Sequence, residues 1–417
     1  MSLDEGAQIR VKFVTKNPAI RVTETPFAVP IKLARAGLSQ VVNHLLNTTA
    51  PKPFDFLIDN TFLRTTLEKY VVTNHLTDEA VLTLEYVEAH LEPEESQSQN
   101  HPDWISAVSS FNDIVVTGCY DGILRVFAAS GELLGSAKAH DSVIKSISIH
   151  QNVIVTGSKD LKANVWTWDA TNKALTLVGV NVGHANSVDA VAVYDQTVVT
   201  GSWDNTVRVW SVPGESSQDV DDDVAVTKRQ KTNSKVAKAK VTEQQASTIL
   251  PGHTAAVLAV AVDPHQAHFL YSGSMDRSIK LWDLTTERCT QTMTGSSTLS
   301  DISVSTNGTI LSAHPDNHIR LWDPRAAKAG TTLVQATFSS HKQWVSAVEW
   351  SPSHAHHFVS AGYDGSVKLW DSRSSIPLFT LAAHTGKALD VAWLPNPKPA
   401  FVSGGEDCQL KFYATTA

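Results

Sequence analysis

The sequence predicts a two-part protein, an α+β domain of about ninety residues followed by an all-β ring of small sheets. Three observations predict it. A motif with one fixed internal spacing recurs seven times after residue 101, alternating apolar runs of strand length surround each copy, and residues 8–92 lack the motif. The chain of 417 residues is long enough for two or three domains that each bury a core.

The repeated motif is a Ser or Thr, an Asp four positions later and an aromatic residue six positions after that Asp. The seven pairs are Asp121–Phe127, Asp160–Trp166, Asp204–Trp210, Asp276–Trp282, Asp316–Trp322, Asp364–Trp370 and Asp407–Tyr413. Five copies follow a small residue and a histidine, namely His140, His184, His253, His341 and His384. Most neighbouring Asp positions are 39 to 48 residues apart, which leaves room for four antiparallel strands per unit.

Each set of His, Ser or Thr, Asp and Trp can form a hydrogen-bonded chain that satisfies polar groups buried between packed sheets. These sets resemble the structural tetrad of WD40 repeats, whose units contain about 40 to 45 residues. The resemblance predicts an all-β seven-bladed WD40 propeller. Its tetrad residues are His140, Asp160, Trp166, His184, Asp204, Trp210, His253, Asp276, Trp282, His341, Asp364 and Trp370. Because the set recurs from unit to unit, we interpret it as structural and expect no enzyme.

Two units depart from the pattern. The first has Phe127 in place of Trp and lacks the small residue and His, and the fifth has TGSSTLSDI where that pair would stand. Both keep the hydroxyl residue and the Asp, so we count seven blades over 104–417. The chain ends soon after Tyr413, and we expect 93–103 to be a linker with a candidate strand that closes the ring.

One gap between repeats is too long for a single unit. Asp204 and Asp276 are 72 residues apart, and the excess, at about 213–247, has almost no large apolar side chain. Such a segment cannot bury enough surface to fold, so we predict a disordered charged insertion. Its basic run suits a nuclear-import signal, an RNA phosphate contact or a solvated linker. The run includes Lys228, Arg229 and Lys231.

Residues 1–92 are predicted to form a separate small domain. QIRVKFVT and RVTETPFAVPI predict paired strands, LARAGLSQVVNHLL and TTLEKYVV predict helices, and FDFLIDNTFLR and AVLTLEYVEA predict further strands. The order β-β-α-β-α-β is that of a ubiquitin-like β-grasp. Its last loop, LTDEA, places Asp78 and Glu79 directly before the final strand. From the sequence alone, such acids are usually solvated surface residues.

The N-terminal stretches, the repeats and the charged insertion together resemble the Notchless-like (NLE) domain WD-repeat family, in particular its ribosome-biogenesis branch. The resemblance implies an assembly factor for the large ribosomal subunit in the nucleus, nucleolus and nucleoplasm. It implies that the propeller binds the propeller of the block-of-proliferation protein, in a complex with pescadillo on the pre-ribosomal particle. It also implies that the ubiquitin-like domain docks to midasin, an AAA ATPase whose ATP-driven pulling removes the factor.

The same resemblance implies a role for one acid of the LTDEA loop. Midasin carries a metal-ion-dependent adhesion site, and Glu79 is expected to supply a ligand in trans to its Mg²⁺. Mg²⁺ prefers hard oxygen ligands in octahedral geometry, so an exposed carboxylate from a partner can complete its coordination. Asp78 has one fewer methylene group and is expected to be dispensable.

The residue before each turn Asp is expected at the rim of one propeller face. Large side chains there, and one three residues after His341, are interface candidates or covers of a neighbouring blade. They are Tyr120, Trp203, Met275, Trp344 and Tyr363.

Composition restricts the other function classes. A net charge of −8 gives no global attraction to nucleic acid, and no apolar run is long enough to span a membrane. The three cysteines form no C-x-x-C pair, so we expect no zinc module, no disulfide framework and no cofactor of its own. No secretory signal is visible, which favours the cytosol or nucleus. The alternative functions are a WD40 substrate receptor of a ubiquitin ligase and an enzyme with a propeller pocket.

Overall fold

The computed structural model describes residues 7–48, 50–76, 81–89, 91–213, 241–329, 333–394 and 400–415. The chain divides into two units, residues 1–92 with the segment 372–374, and residues 93–371 with 375–417. Within these described ranges, no helix is both long enough and apolar enough to cross a membrane.

One mixed sheet, two α-helices and a short 3-10 helix (Pro18–Ile20) make up the described part of the first unit. The elements are β1 (Gln8–Val14), β2 (Phe27–Pro30), α1 (Arg35–Leu46), β3 (Phe54–Ile58), β4 (Thr61–Phe62), α2 (Leu67–Thr73) and β5 (Val81–Glu88). The strand order is β2-β1-β5-β3-β4, with β1 and β5 parallel and the other pairs antiparallel. A parallel pair requires a crossover connection, and α1 lies in the chain between its two strands.

The core of this unit follows from the sequence periodicity. Alternate residues of β1 are buried, and Leu38 and Val42, one turn apart on α1, are fully buried. Leu45, near the C-terminal end of α1, is 40% exposed. The buried Tyr86 hydroxyl donates to the carbonyl of Ile20 and accepts the N–H of Val22 at 3.0 Å, so its polar end is satisfied inside the core.

Seven further sheets lie in the described part of the second unit. The first sheet contains β7 (Ile105–Phe111), β8 (Ile114–Cys119), β9 (Ile123–Ala128) and β10 (Leu133–Lys138). The second contains β11 (Ile144–His150), β12 (Val153–Ser158), β13 (Ala163–Asp169) and β14 (Ala174–Asn181), and the later strand β18 (Thr242–Gln244) is added at its edge. The third contains β15 (Val188–Tyr194), β16 (Thr197–Ser202), β17 (Val207–Ser211) and β19 (Thr248–Leu250).

The fourth to seventh sheets follow in chain order. The fourth sheet contains β20 (Val257–Val262), β21 (Phe269–Ser274), β22 (Ser278–Asp283) and β23 (Arg288–Thr294), and the fifth contains β24 (Asp301–Val304), β25 (Ile310–Ala313), β26 (His318–Trp322) and β27 (Val334–Ser339). The sixth contains β28 (Val345–Trp350), β29 (His357–Gly362), β30 (Val367–Asp371) and β31 (Phe379–Leu381). The seventh contains β32 (Ala388–Trp393), β33 (Ala400–Gly405), β34 (Gln409–Ala414) and, from earlier in the chain, β6 (Glu94–Asn100).

These sheets close into a propeller-like ring. The first strand of each sheet contacts the first strand of the next, and β32 of the seventh sheet contacts β7 of the first. β6 completes the seventh sheet by antiparallel pairing with β34, with Glu94 opposite Ala414 and Asn100 opposite Gln409. Most of 93–103 is therefore strand rather than linker, and it covers an edge that would otherwise be open.

The charged insertion ends earlier than the sequence indicates. β18 pairs in parallel with β14 of the second sheet, with Thr242 opposite Gly179 and Gln244 opposite Asn181. The prediction of disorder over 213–247 is wrong for this strand, because backbone hydrogen bonds to a free sheet edge can order a segment that has no apolar side chains. The basic residues Lys228, Arg229 and Lys231 lie outside the described residues.

Candidate functional site

Three sheets carry a complete tetrad in which four side chains are hydrogen-bonded in series. In the fourth sheet, the Trp282 indole N–H donates to Ser272 Oγ at 2.8 Å, and that hydroxyl lies 2.7 Å from His253 Nε2. His253 Nδ1 lies 2.8 Å from Asp276. The third and sixth sheets repeat this chain, with residues Trp210, Thr200, His184 and Asp204, and Trp370, Ser360, His341 and Asp364.

The tetrad carboxylates are stabilised in their ionised form. Although burial opposes ionisation, hydrogen bonds from His184 and Thr206 hold the pKa of Asp204 well below its usual range. Burial lowers the pKa of His253 and of His341, and the facing carboxylates offset it only in part. A neutral imidazole that donates from Nδ1 to the carboxylate and accepts the hydroxyl proton at Nε2 satisfies every member of the chain.

The second sheet has only part of the predicted tetrad. His140 lies 2.8 Å from both Asp160 and Thr156, as in the complete sets. Trp166 is buried, but its indole N–H has no acceptor among the described residues. The expectation that Trp166 completes a tetrad is therefore wrong. The buried ring still packs in the core beside Val126 and Ile144, so its contribution is apolar.

The two irregular units recruit histidines that the sequence pattern missed. In the first sheet, His101 Nε2 lies 3.0 Å from Thr117 Oγ1. In the fifth, His314 Nε2 lies 2.6 Å from Ser312, the hydroxyl that accepts the Trp322 indole N–H at 2.7 Å. The turn Asp of each of these two units, Asp121 and Asp316, instead pairs with the arginine four residues later, at 2.7 and 2.6 Å.

The tetrads resemble a hydrolase triad in connectivity but not in accessibility. Ser, His and Asp are linked in the order that catalysis would need. However, Ser272 and Ser360 are fully buried, and each hydroxyl also accepts an indole N–H. A hydroxyl that no substrate can reach cannot act as a nucleophile. In the third, fourth and sixth sheets the arrangement satisfies polar groups that are buried inside the ring.

The predicted interface residues occupy equivalent backbone positions in their sheets. The N–H of the residue before the turn Asp donates to the carbonyl of the residue three positions after the tetrad histidine, at 2.8 to 3.0 Å. The pairs are Tyr120–Trp104, Trp203–Ser187, Met275–Ala256, Tyr363–Trp344 and Glu406–Lys387. Because the ring repeats one sheet, these pairs lie on one face, which we call the aromatic face.

The most exposed large side chains of this face are tryptophans, and Met275 is exposed to a lesser degree, at 36%. Trp344, Trp203 and Trp104 are 53%, 43% and 40% exposed, whereas Tyr120 and Tyr363 are half-buried. Trp344 stacks on Tyr363 with ring centroids 5.6 Å apart, and Trp104 meets Tyr120 edge-on at 5.2 Å. The tyrosines thus cover neighbouring groups and hold the tryptophans in place, while the tryptophans present the free rings.

Charged groups lie between the two aromatic pairs. Lys387 lies 5.0 Å above the Tyr363 ring and pairs with Glu406 at 2.7 Å. Burial raises the pKa of Tyr120, and Glu406 raises it further. On the third sheet, Trp203 donates its indole N–H to Asp189 at 2.8 Å, which fixes an exposed ring in one orientation. The aromatic face is therefore preorganised for contact.

Trp104 was not predicted as an interface residue, although a signal for it exists. It follows His101 by three positions, the same offset that relates Trp344 to His341. The sequence pattern did not identify His101 as a tetrad histidine, because Asn100 rather than a small residue precedes it. Once the His101–Thr117 contact is known, the offset identifies Trp104 directly.

The proposed metal ligand cannot be placed. Glu79 and Asp78 lie outside the described residues. Leu76 and Val81, the described residues on either side of that segment, are both exposed. Across the described ranges, no group of three or more His, Cys, Asp or Glu side chains is arranged to hold a metal ion.

Comparison with known proteins matches both parts of the chain. Residues 9–71 match the NLE (NUC135) domain. Six segments match the WD domain, G-beta repeat: 94–127, 175–211, 244–283, 287–323, 333–371 and 375–413. The chain is 34% identical to the ribosome biogenesis protein WDR12 homolog of Chlamydomonas reinhardtii, over 98% of each protein. It belongs to the WDR12 and YTM1 family of ribosome biogenesis proteins.

Other members of the family are similar to this chain over nearly their full lengths. The WDR12 homolog of Ixodes scapularis is 36% identical over 99% of both chains, and the YTM1 protein of Meyerozyma guilliermondii is 33% identical over 97% of this chain and 95% of its own. The resemblance inferred from the sequence motifs is confirmed. The family's two parts correspond to the N-terminal unit and the ring of sheets described above.

Proposed function

We propose that the chain is a non-enzymatic assembly factor for the large ribosomal subunit, with a role in pre-rRNA processing and pre-ribosome maturation. The observation that carries the proposal is similarity over nearly the whole chain to proteins named for ribosome biogenesis. The family names also support action in the nucleus, nucleolus and nucleoplasm on a pre-ribosomal particle. Fully buried tetrad hydroxyls support a scaffold rather than a hydrolase.

The proposed architecture is a ubiquitin-like β-grasp domain followed by a seven-bladed WD40 propeller. The sheet order β2-β1-β5-β3-β4, with its central parallel pair and α1 as crossover, supports the β-grasp. The seven sheets joined through their first strands support the propeller. Each of the two parts is proposed to bind its own partner.

The aromatic face is the proposed docking surface for the propeller of the block-of-proliferation protein, in a complex that also contains pescadillo. Exposed tryptophans whose neighbours fix their orientation bury large area at little entropic cost, as interface anchors do. Trp344 on the sixth sheet and Trp104 on the first flank the Lys387–Glu406 pair of the seventh. This arc of three adjacent sheets is where we expect the strongest contacts.

The N-terminal unit is the proposed docking module for midasin, which would then remove the factor by ATP-driven remodelling. Glu79 supplies the carboxylate for the Mg²⁺ of midasin's adhesion site, and the chain needs no cofactor of its own. Leu76 and Val81, the described residues on either side of its segment, are exposed.

The test is a pull-down with the midasin adhesion domain in the presence of Mg²⁺. Glu79→Ala and Glu79→Asp should both lose Mg²⁺-dependent binding, because the ligand is removed or shortened. Asp78→Asn is the matched control and should bind like the wild type. Unchanged binding of both Glu79 variants would refute the proposed ligand while leaving the family assignment intact.

A further inference from the structure

Three carboxyl side chains connect adjacent sheets of the ring. Each lies on the first strand of its sheet and accepts a backbone N–H from the first strand of the next sheet. The contacts join Asp301 Oδ2 to Val348 N at 2.9 Å, Glu349 Oε2 to Trp393 N at 2.6 Å, and Asp390 Oδ2 to Val108 N at 2.7 Å. They span the junctions from the fifth sheet through the sixth and seventh to the first, where the two ends of the ring meet.

Local hydrogen bonds fix these side chains further. The second oxygen of Asp301 accepts the N–H of Ile302, and that of Asp390 accepts the N–H of Val391, both at 2.8 Å. The Trp393 indole N–H donates to the backbone carbonyl of Glu349 at 2.9 Å, next to the contact made by the Glu349 side chain. Each carboxyl is thus held by neutral donors.

The described strands packed against these three groups carry no lysine or arginine that could balance their charge. The strands packed against β24, β28 and β32 are β7, β20, β21, β25, β29 and β33. Apart from the three acids, the ionisable side chains on these strands are Tyr271 on β21 and His357 on β29. His357 lies 3.5 Å from Asp371, and the charges that act on Tyr271 are Asp263, Arg325 and Asp323.

Enclosure without a cation favours the protonated acids. Burial raises the pKa of Asp301 to about 6, although the N–H groups of Val348 and Ile302, which favour the ionised carboxylate, act in the opposite direction. Burial, and then repulsion by the other two acids, raises the pKa of Glu349 to about 8. The pKa of Asp390 rises to about 8 for the same reasons, with Asp301 as the repelling charge. Ionisation would place like charges in an enclosed site, which is costly.

We propose that Asp301, Glu349 and Asp390 are protonation-dependent clasps, which hold the ring closed when neutral and weaken the junctions from the fifth sheet to the first when ionised. A neutral carboxyl keeps an oxygen that accepts the neighbouring N–H and adds no charge. Other junctions use hydroxyl groups for the same purpose, such as Ser148 with the N–H of Val193. That hydroxyl does not titrate, so the proposed pH response belongs to the arc that carries the three acids.

The direction of the effect follows from linkage. The folded-state pKa values lie above the value of roughly 4 expected for the unfolded chain. The stability that these groups contribute is fully present below that value and is lost as the pH rises through about 6 and then about 8. Rising pH therefore favours opening of these three junctions.

The test uses the full chain and isosteric carboxamides. Glu349→Gln and Asp390→Asn, singly and together, keep an oxygen acceptor and remove the titrating proton. The folding equilibrium constant is measured by urea unfolding at about pH 6 and at about pH 9. Between these two pH values it should fall by a factor at least about tenfold larger in the wild type than in the double variant. Asp323→Asn is the control, because hydrogen bonds from Arg325 hold its pKa low, and it should follow the wild type.

Equal losses in the wild type and the double variant would overturn the proposal. If the carboxamide variants fail to fold, hydrogen exchange in the wild type decides the question. After correction for intrinsic rates, protection of 105–111 and 388–393 should fall between pH 6 and pH 9 more than that of 188–194, which lies on the third sheet. A uniform change across the three segments would contradict the clasps.

Discussion

The indole N–H of Trp282 donates to Ser272 Oγ at 2.8 Å, while Trp166, at the equivalent position two sheets earlier, has no acceptor among the described residues. The two buried rings therefore differ in one hydrogen bond within the same repeat. That difference separates the polar and apolar contributions of the tetrad.

Replacement of each tryptophan by phenylalanine should show this difference in stability. Trp282→Phe loses ring volume and leaves Ser272 without its donor, whereas Trp166→Phe loses ring volume alone. We expect the free energy of unfolding to fall by about 1 kcal/mol more for Trp282→Phe, measured by urea denaturation. Equal losses would mean that the Trp282 hydrogen bond adds nothing net.

Truncation of Trp344 should weaken partner binding without affecting the fold. The side chain is 53% exposed and stacks on Tyr363, so its removal takes away contact area rather than core. We expect Trp344→Ala to weaken binding of the block-of-proliferation propeller at least about tenfold by calorimetry, with an unchanged melting temperature. Ile249→Ala, which removes an equally exposed side chain from the outer strand β19, is the control. If the two variants bind equally, the aromatic face is not the interface.

Acid should destabilise the ring through its buried histidines. Burial lowers the pKa of His314 to about 4, below the roughly 6.5 of an unfolded histidine. The stability it contributes is present above the unfolded value and is lost as the pH falls through 4, by roughly 3 kcal/mol between pH 7 and pH 4. The free energy of unfolding, measured with urea, should therefore fall less steeply between pH 7 and pH 4 in His314→Gln than in the wild type. His268→Gln, which changes an exposed histidine, is the control. Identical slopes for all three proteins would argue against the shift.

Removal of β6 should open the ring. A chain that begins at residue 101 lacks the strand that pairs with β34 and the Glu95–Lys411 ion pair, and it exposes a sheet edge. We expect a lower melting temperature and concentration-dependent aggregation in light scattering. A chain that begins at residue 93 keeps β6 and serves as the control. Similar behaviour of the two would show that the seventh sheet does not depend on this strand.

The sequence predicts most where residues repeat. One spacing places His, Ser or Thr, Asp and Trp together in several sheets, since the same backbone geometry recurs with the same offsets. His314 breaks this rule, because it reaches Ser312 from two positions later in the chain rather than from the preceding loop. No local pattern identifies such a substitute, since the contact depends on the turn that carries it.

Contacts between residues that are distant in the chain could not be predicted from the sequence pattern. Asp301, Glu349 and Asp390 lie in strands whose other residues are small or apolar, and their partners belong to other sheets. The strand Thr242–Gln244 has no apolar alternation and pairs with the edge of β14. Both depend on which chain segments become neighbours in the closed ring, which local periodicity does not encode.

Affinity purification of the full chain at low and at physiological salt tests the central claim most directly. The account predicts recovery of the block-of-proliferation protein, pescadillo and pre-ribosomal RNA in both conditions, with midasin retained when Mg²⁺ is present. Recovery of cullin and its adaptor subunits, without any of these, would contradict an assembly factor and indicate a substrate receptor of a ubiquitin ligase.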